Sequence, residues 1–170
     1  GLVKMANLSA SGKPTTFTGL PSGAWFGEGS LLKDEPRRYD IVALRGSDIA
    51  YMPRTTFMAL LDHSVTFNRF VLIQLNERLG QFIAAREIDR MNTPELRVAR
   101  NLASLFNPVL YPGVGEVLRI TQQELAYLVG LSRQRVNEAL TALAARQLVR
   151  VEYGGLRVLD LAGLRSSDFS

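Results

Sequence analysis

The stretch Ile120–Val151, ITQQELAYLVGLSRQRVNEALTALAARQLVRV, leaves this chain few ways to fold. Thr121 followed by Glu124 is a capping box and predicts a helix start. Leu125, Leu128 and Val129 give that helix one apolar face. Gly130 predicts its end, because glycine takes the left-handed conformation without a Cβ clash. Ser132 predicts the cap of a second helix, in which Val136, Leu140 and Leu143 form the buried stripe. Arg133, Gln134, Asn137 and Thr141 fall on the other side. Two short helices around a tight turn, the second with an arginine-led polar face, fit a DNA-binding helix-turn-helix. Its second helix enters the major groove with its N-terminal residues nearest the base edges. The same pattern fits any helical hairpin packed in a core. The flanks favour the former. Leu148–Tyr153 reads as a strand, Gly154-Gly155 as a turn and Leu156–Leu159 as the returning strand, so a wing follows the second helix. Between Arg119 and Arg157 six Arg face three Glu, a modest excess that suits a phosphate-facing surface.

Charge and composition narrow the class. The 170 residues carry a net charge of +4, with seventeen Arg against three Lys. Arginine makes the forked contacts that phosphate and guanine accept. Cysteine is absent, so these residues offer no disulfide, zinc-thiolate or iron–sulfur site. His63 is the one histidine. It precedes the long helix and reads as a surface or cap residue, and no metal is assigned. No nucleophile–His–acid set, Walker loop or metal spacing is present, so an enzyme is not expected. Gly27-Glu28-Gly29-Ser30 is a short glycine-rich piece and a weak phosphate signal alone. No apolar run reaches membrane-spanning length and no signal peptide heads the chain, which sets a cytoplasmic expectation and no membrane partner.

Residues 1–57 read as short strands: Gly1–Met5, Thr15–Leu20, Ile41–Leu44 and Asp48–Met52, separated by turns at Ser9–Pro14, Pro21–Gly23 and Arg45–Ser47. That suggests a roll or barrel. The set is thin for a closed roll, and the chain begins inside a strand, so we expect a fragment or a missing earlier part. From Arg54 the pattern turns helical. Phe57, Leu60 and Leu61 mark a short helix. A long one follows from Val65 to Met91, with an apolar seam of Leu72, Leu75, Leu79 and Phe82 widened by Val71, Ile83 and Ile88. It has more apolar surface than so small a β domain covers, which favours pairing in a homodimer over burial against its own domain. Thr93 as cap and Pro94 at the first position start the next helix, which runs to about Phe106, and Met91-Asn92-Thr93 reads as a hinge. Asn107–Glu116 is a Pro/Gly loop.

With these residues in view, the whole chain resembles the cyclic-AMP receptor protein and fumarate–nitrate regulator family of bacterial transcription factors. Two motifs carry the resemblance: Ile120-Thr121-Gln122-Gln123-Glu124-Leu125 with Val129-Gly130-Leu131-Ser132-Arg133, and Phe26-Gly27-Glu28 with Leu31-Leu32 and Arg38. The family's first strands have no counterpart. The resemblance implies an α+β fold: a partial cyclic-nucleotide-binding-like β-roll at 1–63, a dimerisation helix at 64–91 and a C-terminal winged helix-turn-helix at 92–170. It also implies a homodimeric, sequence-specific transcription regulator controlled by an effector in the roll. The alternative is a ligand-binding module whose helical domain mediates protein interaction.

Residue roles follow from the resemblance alone. Gly27, Glu28 and Arg38 match the family's phosphate cassette, in which backbone N–H groups and the arginine hold the phosphate and the glutamate accepts from the ribose. An alternative reading of these residues is a sheet corner with Arg38 paired to Glu28. Tyr39 and Asp40 replace the family's usual small hydroxyl residue and alanine. Phe82 and Ile83 replace the polar pair that meets the base. The effector is therefore left open: a cyclic nucleotide matches the cassette, but cyclic AMP fits poorly. Arg133, Gln134, Asn137 and Glu138 are the base-reading positions. Glu138 reverses the charge of a common family arginine, so the family's usual half-site is not assumed. Thr121, Gln122, Ser132 and Arg135 are phosphate contacts that position without specifying. The partners implied are double-stranded DNA with a near-palindromic operator and, through Asn107–Glu116, RNA polymerase, with an ordinary surface loop as the equal alternative for that segment.

Overall fold

The computed structural model describes residues 1–8, 14–88, 90 and 93–166. The N-terminal part is a three-stranded antiparallel sheet. Strand β1 (Leu2–Leu8) lies between β2 (Pro14–Pro21) and β3 (Asp40–Ala43), with a bulge at Met5/Ala6. Helix α1 (Glu28–Lys33) follows β2, α2 (Arg54–His63) follows β3, and α3 (Val65–Ile88) runs on from α2. The C-terminal part comprises α4 (Pro94–Ser104), β4 (Val117–Leu118), α5 (Gln122–Val129), α6 (Arg133–Ala145), the hairpin β5 (Val149–Glu152) and β6 (Gly155–Val158), and α7 (Leu161–Arg165). Strand β4 pairs with β6, so the wing is a second three-stranded sheet.

The local chemistry of the C-terminal part is as the spacing requires. Thr121 Oγ1 accepts from the Glu124 N–H at 3.1 Å, and the Glu124 carboxylate accepts from the Thr121 N–H at 2.7 Å. Each such cap stabilises a helix start by about 1 kcal/mol. Gly130 ends α5 at φ 67°, in the left-handed region. Ser132 Oγ then accepts from the Arg135 N–H and starts α6. Leu125, Val136, Leu140 and Leu143 are buried with Val98 and Leu102 of α4.

That core does not stop at the domain boundary. Leu2 of β1 is fully buried within it, and Leu44 packs against it. Helix α5 lies on β2 at Gly19, where an added Cβ would come within 2.7 Å of Leu128. Arg45, beyond β3, pairs through Nε with the Glu124 carboxylate at 3.4 Å and donates to the Arg119 carbonyl. The sheet thus grips the first turn of α5. A second core gathers Val3, Met5 and Leu20 with Leu110 and Tyr111 of the Pro/Gly loop. Arg78 on α3 ties these parts together, donating to Tyr111 Oη at 3.0 Å and to the Trp25 carbonyl at 2.8 Å.

Several expectations need correction. Asp48–Met52 is not a strand; Ile49 and Tyr51 are exposed, and no neighbouring strand pairs with the segment among the described residues. Alternation marks a candidate strand, but only a partner supplies its hydrogen bonds. Helix α1 was not expected: six residues are too few for a period to show. Thr93 occupies the cap position of α4, but its side chain makes no capping bond. Helix α4 ends at Ser104 rather than Phe106, and the hairpin turns at Tyr153-Gly154. Met91 and Asn92, the centre of the expected hinge, and most of the Ser9–Pro14 turn lie outside the described residues. The long seam splits. Leu72 and Leu79 are 65% and 58% exposed and share one side of α3 with Val65 and Ile83. Leu75 and Phe82 turn toward the sheet and are half-buried, while Val71 and Ile88 are buried.

Candidate DNA-reading face and effector cleft

Helix α6 places Arg133, Gln134, Asn137 and Glu138 on one exposed side, because Val136, Ala139 and Leu140 hold the opposite side in the core. A groove of about 490 Å³ runs between this helix and the wing, lined by Thr121, Gln122, Arg133, Val151 and Gly154. Of the predicted contacts, Arg133, Thr121 and Gln122 border this groove; Gln134, Asn137, Glu138, Ser132 and Arg135 are exposed on α6 and its cap outside its lining. Two side-chain links cross the face. Gln122 Nε2 donates to Asn137 Oδ1 at 2.9 Å, and Gln134 Nε2 donates to Glu138 Oε1 at 3.0 Å. Ser132 and Arg135 stand exposed at the start of α6. The wing adds residues the sequence reading did not single out. Tyr153 at its tip is fully exposed, and Arg150 is exposed on β5. Arg157 is not free for DNA: it pairs with Glu152 and Glu116, each at 2.6 Å, and braces the hairpin.

A larger cleft of about 1140 Å³ opens between the N-terminal sheet, α3 and α5. Lys4, Glu28, Arg38, Tyr39, Phe82 and Tyr127 are among its lining residues. Glu28 is buried, and its Oε2 has no hydrogen-bond partner among the described residues. A buried carboxylate oxygen left unpaired costs about 1–3 kcal/mol or more, so it is suited to a ligand donor. The Gly27 N–H, the backbone donor expected for phosphate, already donates to Tyr39 Oη at 3.0 Å. Burial pushes the Tyr39 phenol above its usual pKa, an effect the Gly27 N–H opposes, so the hydroxyl is neutral at physiological pH. Arg38 lies mostly in solvent and pairs with Glu35 at 2.8 Å, not with Glu28. Its neighbour Arg37 is the arginine beside Gly27, where an added Cβ would meet its guanidinium at 3.2 Å, and it lies over the Phe26 ring, 6.0 Å from its centroid. The Arg37-Arg38 dipeptide was the only sequence signal for this, and it does not say which arginine turns inward. Phe82 packs edge-on against Phe17 at 6.4 Å and lines the cleft. Ile83 faces outward, 59% exposed, and is not part of that lining.

A nucleotide-type cassette on a sheet, joined by a long helix to a winged helix-turn-helix, defines the class of DNA-binding transcription regulators. Comparison with known proteins agrees in both halves. Residues 1–64 match the cyclic nucleotide-binding domain, and residues 96–167 match the Crp-like helix-turn-helix domain. The chain is 30% identical over 169 residues to the cyclic AMP receptor protein of Thermus thermophilus, spanning 99% of this chain and 76% of that protein. It is also 30% identical over 171 residues to the transcriptional regulator SdrP of the same organism, spanning 97% of this chain and 79% of that one. A CooA variant from Carboxydothermus hydrogenoformans shares the fold, with a TM-score of 0.66 at 20% identity over 97% of this chain and 74% of that one. The chain belongs to the Crp/Fnr family of transcription regulators. These relatives are regulators, not enzymes, and no helix among the described residues is long and apolar enough to cross a membrane.

Proposed function

We propose that this protein is a homodimeric, effector-controlled regulator that reads a near-palindromic operator, organised as a sensor at 1–63, a dimer helix at 64–91 and a reading head at 92–170. The observation that carries the reading is the exposed row Arg133, Gln134, Asn137 and Glu138 on α6, whose first member lines the wing groove. Arg133 forks onto a guanine, and the next three residues discriminate neighbouring bases. Thr121, Gln122, Ser132 and Arg135 set the head on the phosphates. The exposed stripe Val65, Leu72, Leu79 and Ile83 pairs with its copy. Two heads then meet major grooves about 34 Å apart.

The cleft supports effector control because one ligand there touches both the sensor sheet and α5. Its lining suits an anion bearing a hydroxyl donor for Glu28. The relatives' names point to cyclic AMP, but Tyr39 occupies the Gly27 N–H and Phe82 offers no polar partner to an adenine amine. Cyclic AMP is therefore a poor fit, and the effector class stays at hydroxyl-bearing anions. The exposed parts of Asn107–Glu116 are the surface for RNA polymerase; Leu110 and Tyr111 fix that loop in the core.

Fluorescence anisotropy of the full chain on labelled duplex DNA at several salt concentrations tests the reading. Binding whose log affinity falls steeply and linearly with log salt, by about 0.9 per phosphate neutralised, is expected. No binding, or a flat salt response, would make the helical domain a protein-interaction module instead.

A further inference from the structure

The exposed side of α3 repeats every seven residues. Val65, Leu72 and Leu79 stand one heptad apart, and Arg69, Asn76 and Ile83 follow each of them by four residues. All six are exposed, and so is Arg86, a heptad beyond Leu79. Alternating steps of four and three residues make a coiled-coil seam, with Val65, Leu72 and Leu79 at d and Arg69, Asn76 and Ile83 at a. Leucine at d with a β-branched residue at a fits two parallel strands. Asn76 breaks the apolar stretch in its middle, one turn from both Leu72 and Leu79, where a second copy of the helix covers it.

Nothing else in the seam selects a parallel pair. The flanking e and g positions, where charges commonly set orientation, are Ile73, Leu75, Gly80 and Phe82. The ends of the seam oppose it: parallel pairing brings Arg69 and Arg86 each against its own copy, whereas antiparallel pairing separates them. Resting on the dimer role proposed above for α3, we infer that Asn76 is the residue that fixes the two protomers parallel and in register. In that pair a meets a, so the two Asn76 amides meet, and each has a donor and an acceptor for the other. In an antiparallel pair a meets d. Asn76 is then set against leucine, its amide unpaired in an apolar seam, which is costly. A slip of one heptad sets one of the two amides against Ile83. Parallel alignment in turn puts both reading heads at the same end of the helix pair, where one near-palindrome meets both.

The chain has no cysteine, so one introduced thiol reports the alignment. Val65→Cys lies at the start of the seam, and its two copies adjoin in a parallel, in-register pair. An antiparallel pair with Leu72 against Leu79 sets position 65 beside 86, so the two copies lie roughly 30 Å apart at ~1.5 Å per residue. The full chain bearing Val65→Cys should be a dimer by sedimentation equilibrium and should oxidise almost wholly to a disulfide-linked dimer. Adding Asn76→Leu should tighten self-association by about tenfold or more, admit species larger than the dimer and cut the linked fraction to roughly half or less. Helix content by circular dichroism should be kept, since Asn76 is exposed. Unchanged linkage and stoichiometry in the Asn76→Leu chain overturn the inference. So does weaker association of that chain, which would place Asn76 outside the seam. A Val65→Cys dimer that does not cross-link overturns it too, whatever Asn76→Leu does to folding, because the protomers would not be parallel and in register. A monomeric unmodified chain overturns the dimer reading itself, a result distinct from these.

Discussion

Replacing Leu72 and Leu79 together by alanine should separate the protomers while sparing the fold. Both side chains are exposed, at 65% and 58%, so the isolated chain has little packing to lose there. In a dimer built on this stripe, the same exposed area is what the partner covers. Leu→Ala removes about three carbon groups, each worth ~0.8 kcal/mol when buried. With roughly 60% of each side chain available to the partner, each position loses ~1.5 kcal/mol. Two positions on two protomers weaken association by ~6 kcal/mol, on the order of 10⁴-fold in dissociation constant. Sedimentation equilibrium over a dilution series measures this directly, and circular dichroism checks that helix content is kept. A double variant that retains the wild-type dimer affinity would refute the assignment of this stripe as the interface. So would a dimer lost together with the fold, because that would place the two leucines in the core of a single chain.

Other variants probe the reading head and the cleft. Arg133→Ala should remove discrimination at one guanine, at a cost of about 1–3 kcal/mol, read by anisotropy on single-base operator variants; a uniform loss on all sequences would make Arg133 a phosphate contact. Tyr39→Phe removes the acceptor of the Gly27 N–H, so urea unfolding should show a loss of about 1 kcal/mol. With that donor released, calorimetric titration should show tighter binding of cyclic GMP or cyclic AMP than in the unmodified chain, and an unchanged affinity would mean that the hydroxyl does not guard the site. Gly130→Ala forces a Cβ into the left-handed conformation at φ 67°, so it should destabilise the chain by about 1–2 kcal/mol in the same unfolding assay, with operator affinity falling in step if the turn sets the two helices.

What could be seen in the sequence was chemistry confined to neighbours along the chain. The Thr121/Glu124 box, the Gly130 stop and the Ser132 cap act within one helical turn, and each forms as its spacing requires. The apolar faces of α4, α5 and α6 were legible for the same reason, since burial repeats with the helical period. Contacts between distant segments were not. Tyr39 marks a departure from the family pattern, but nothing in its neighbours says that its hydroxyl takes the Gly27 N–H. The Arg45–Glu124 pair joins the sensor sheet to the reading head with no sequence signal at all. The expected strand Asp48–Met52 fails on the same ground: alternation is local, whereas a strand is completed by a partner. The seam on α3 lies between these cases. Its period was evident, but which part of it meets the sheet and which meets solvent depends on where Phe17 sits, and Phe17 reaches Phe82 from another element.

Leu2 buried in the winged-helix core gives the sensor and the head a shared anchor. Swinging the head away from the sheet means withdrawing a leucine from apolar surroundings, at a cost of ~1.5–3 kcal/mol before any other contact is counted. That is a bias of roughly 10- to 150-fold between docked and released arrangements, the same scale as the coupling free energies of ordinary allosteric proteins. A ligand in the cleft that favoured a released head would have to outweigh at least this much, with the Leu44 packing and the Arg45–Glu124 pair added to it.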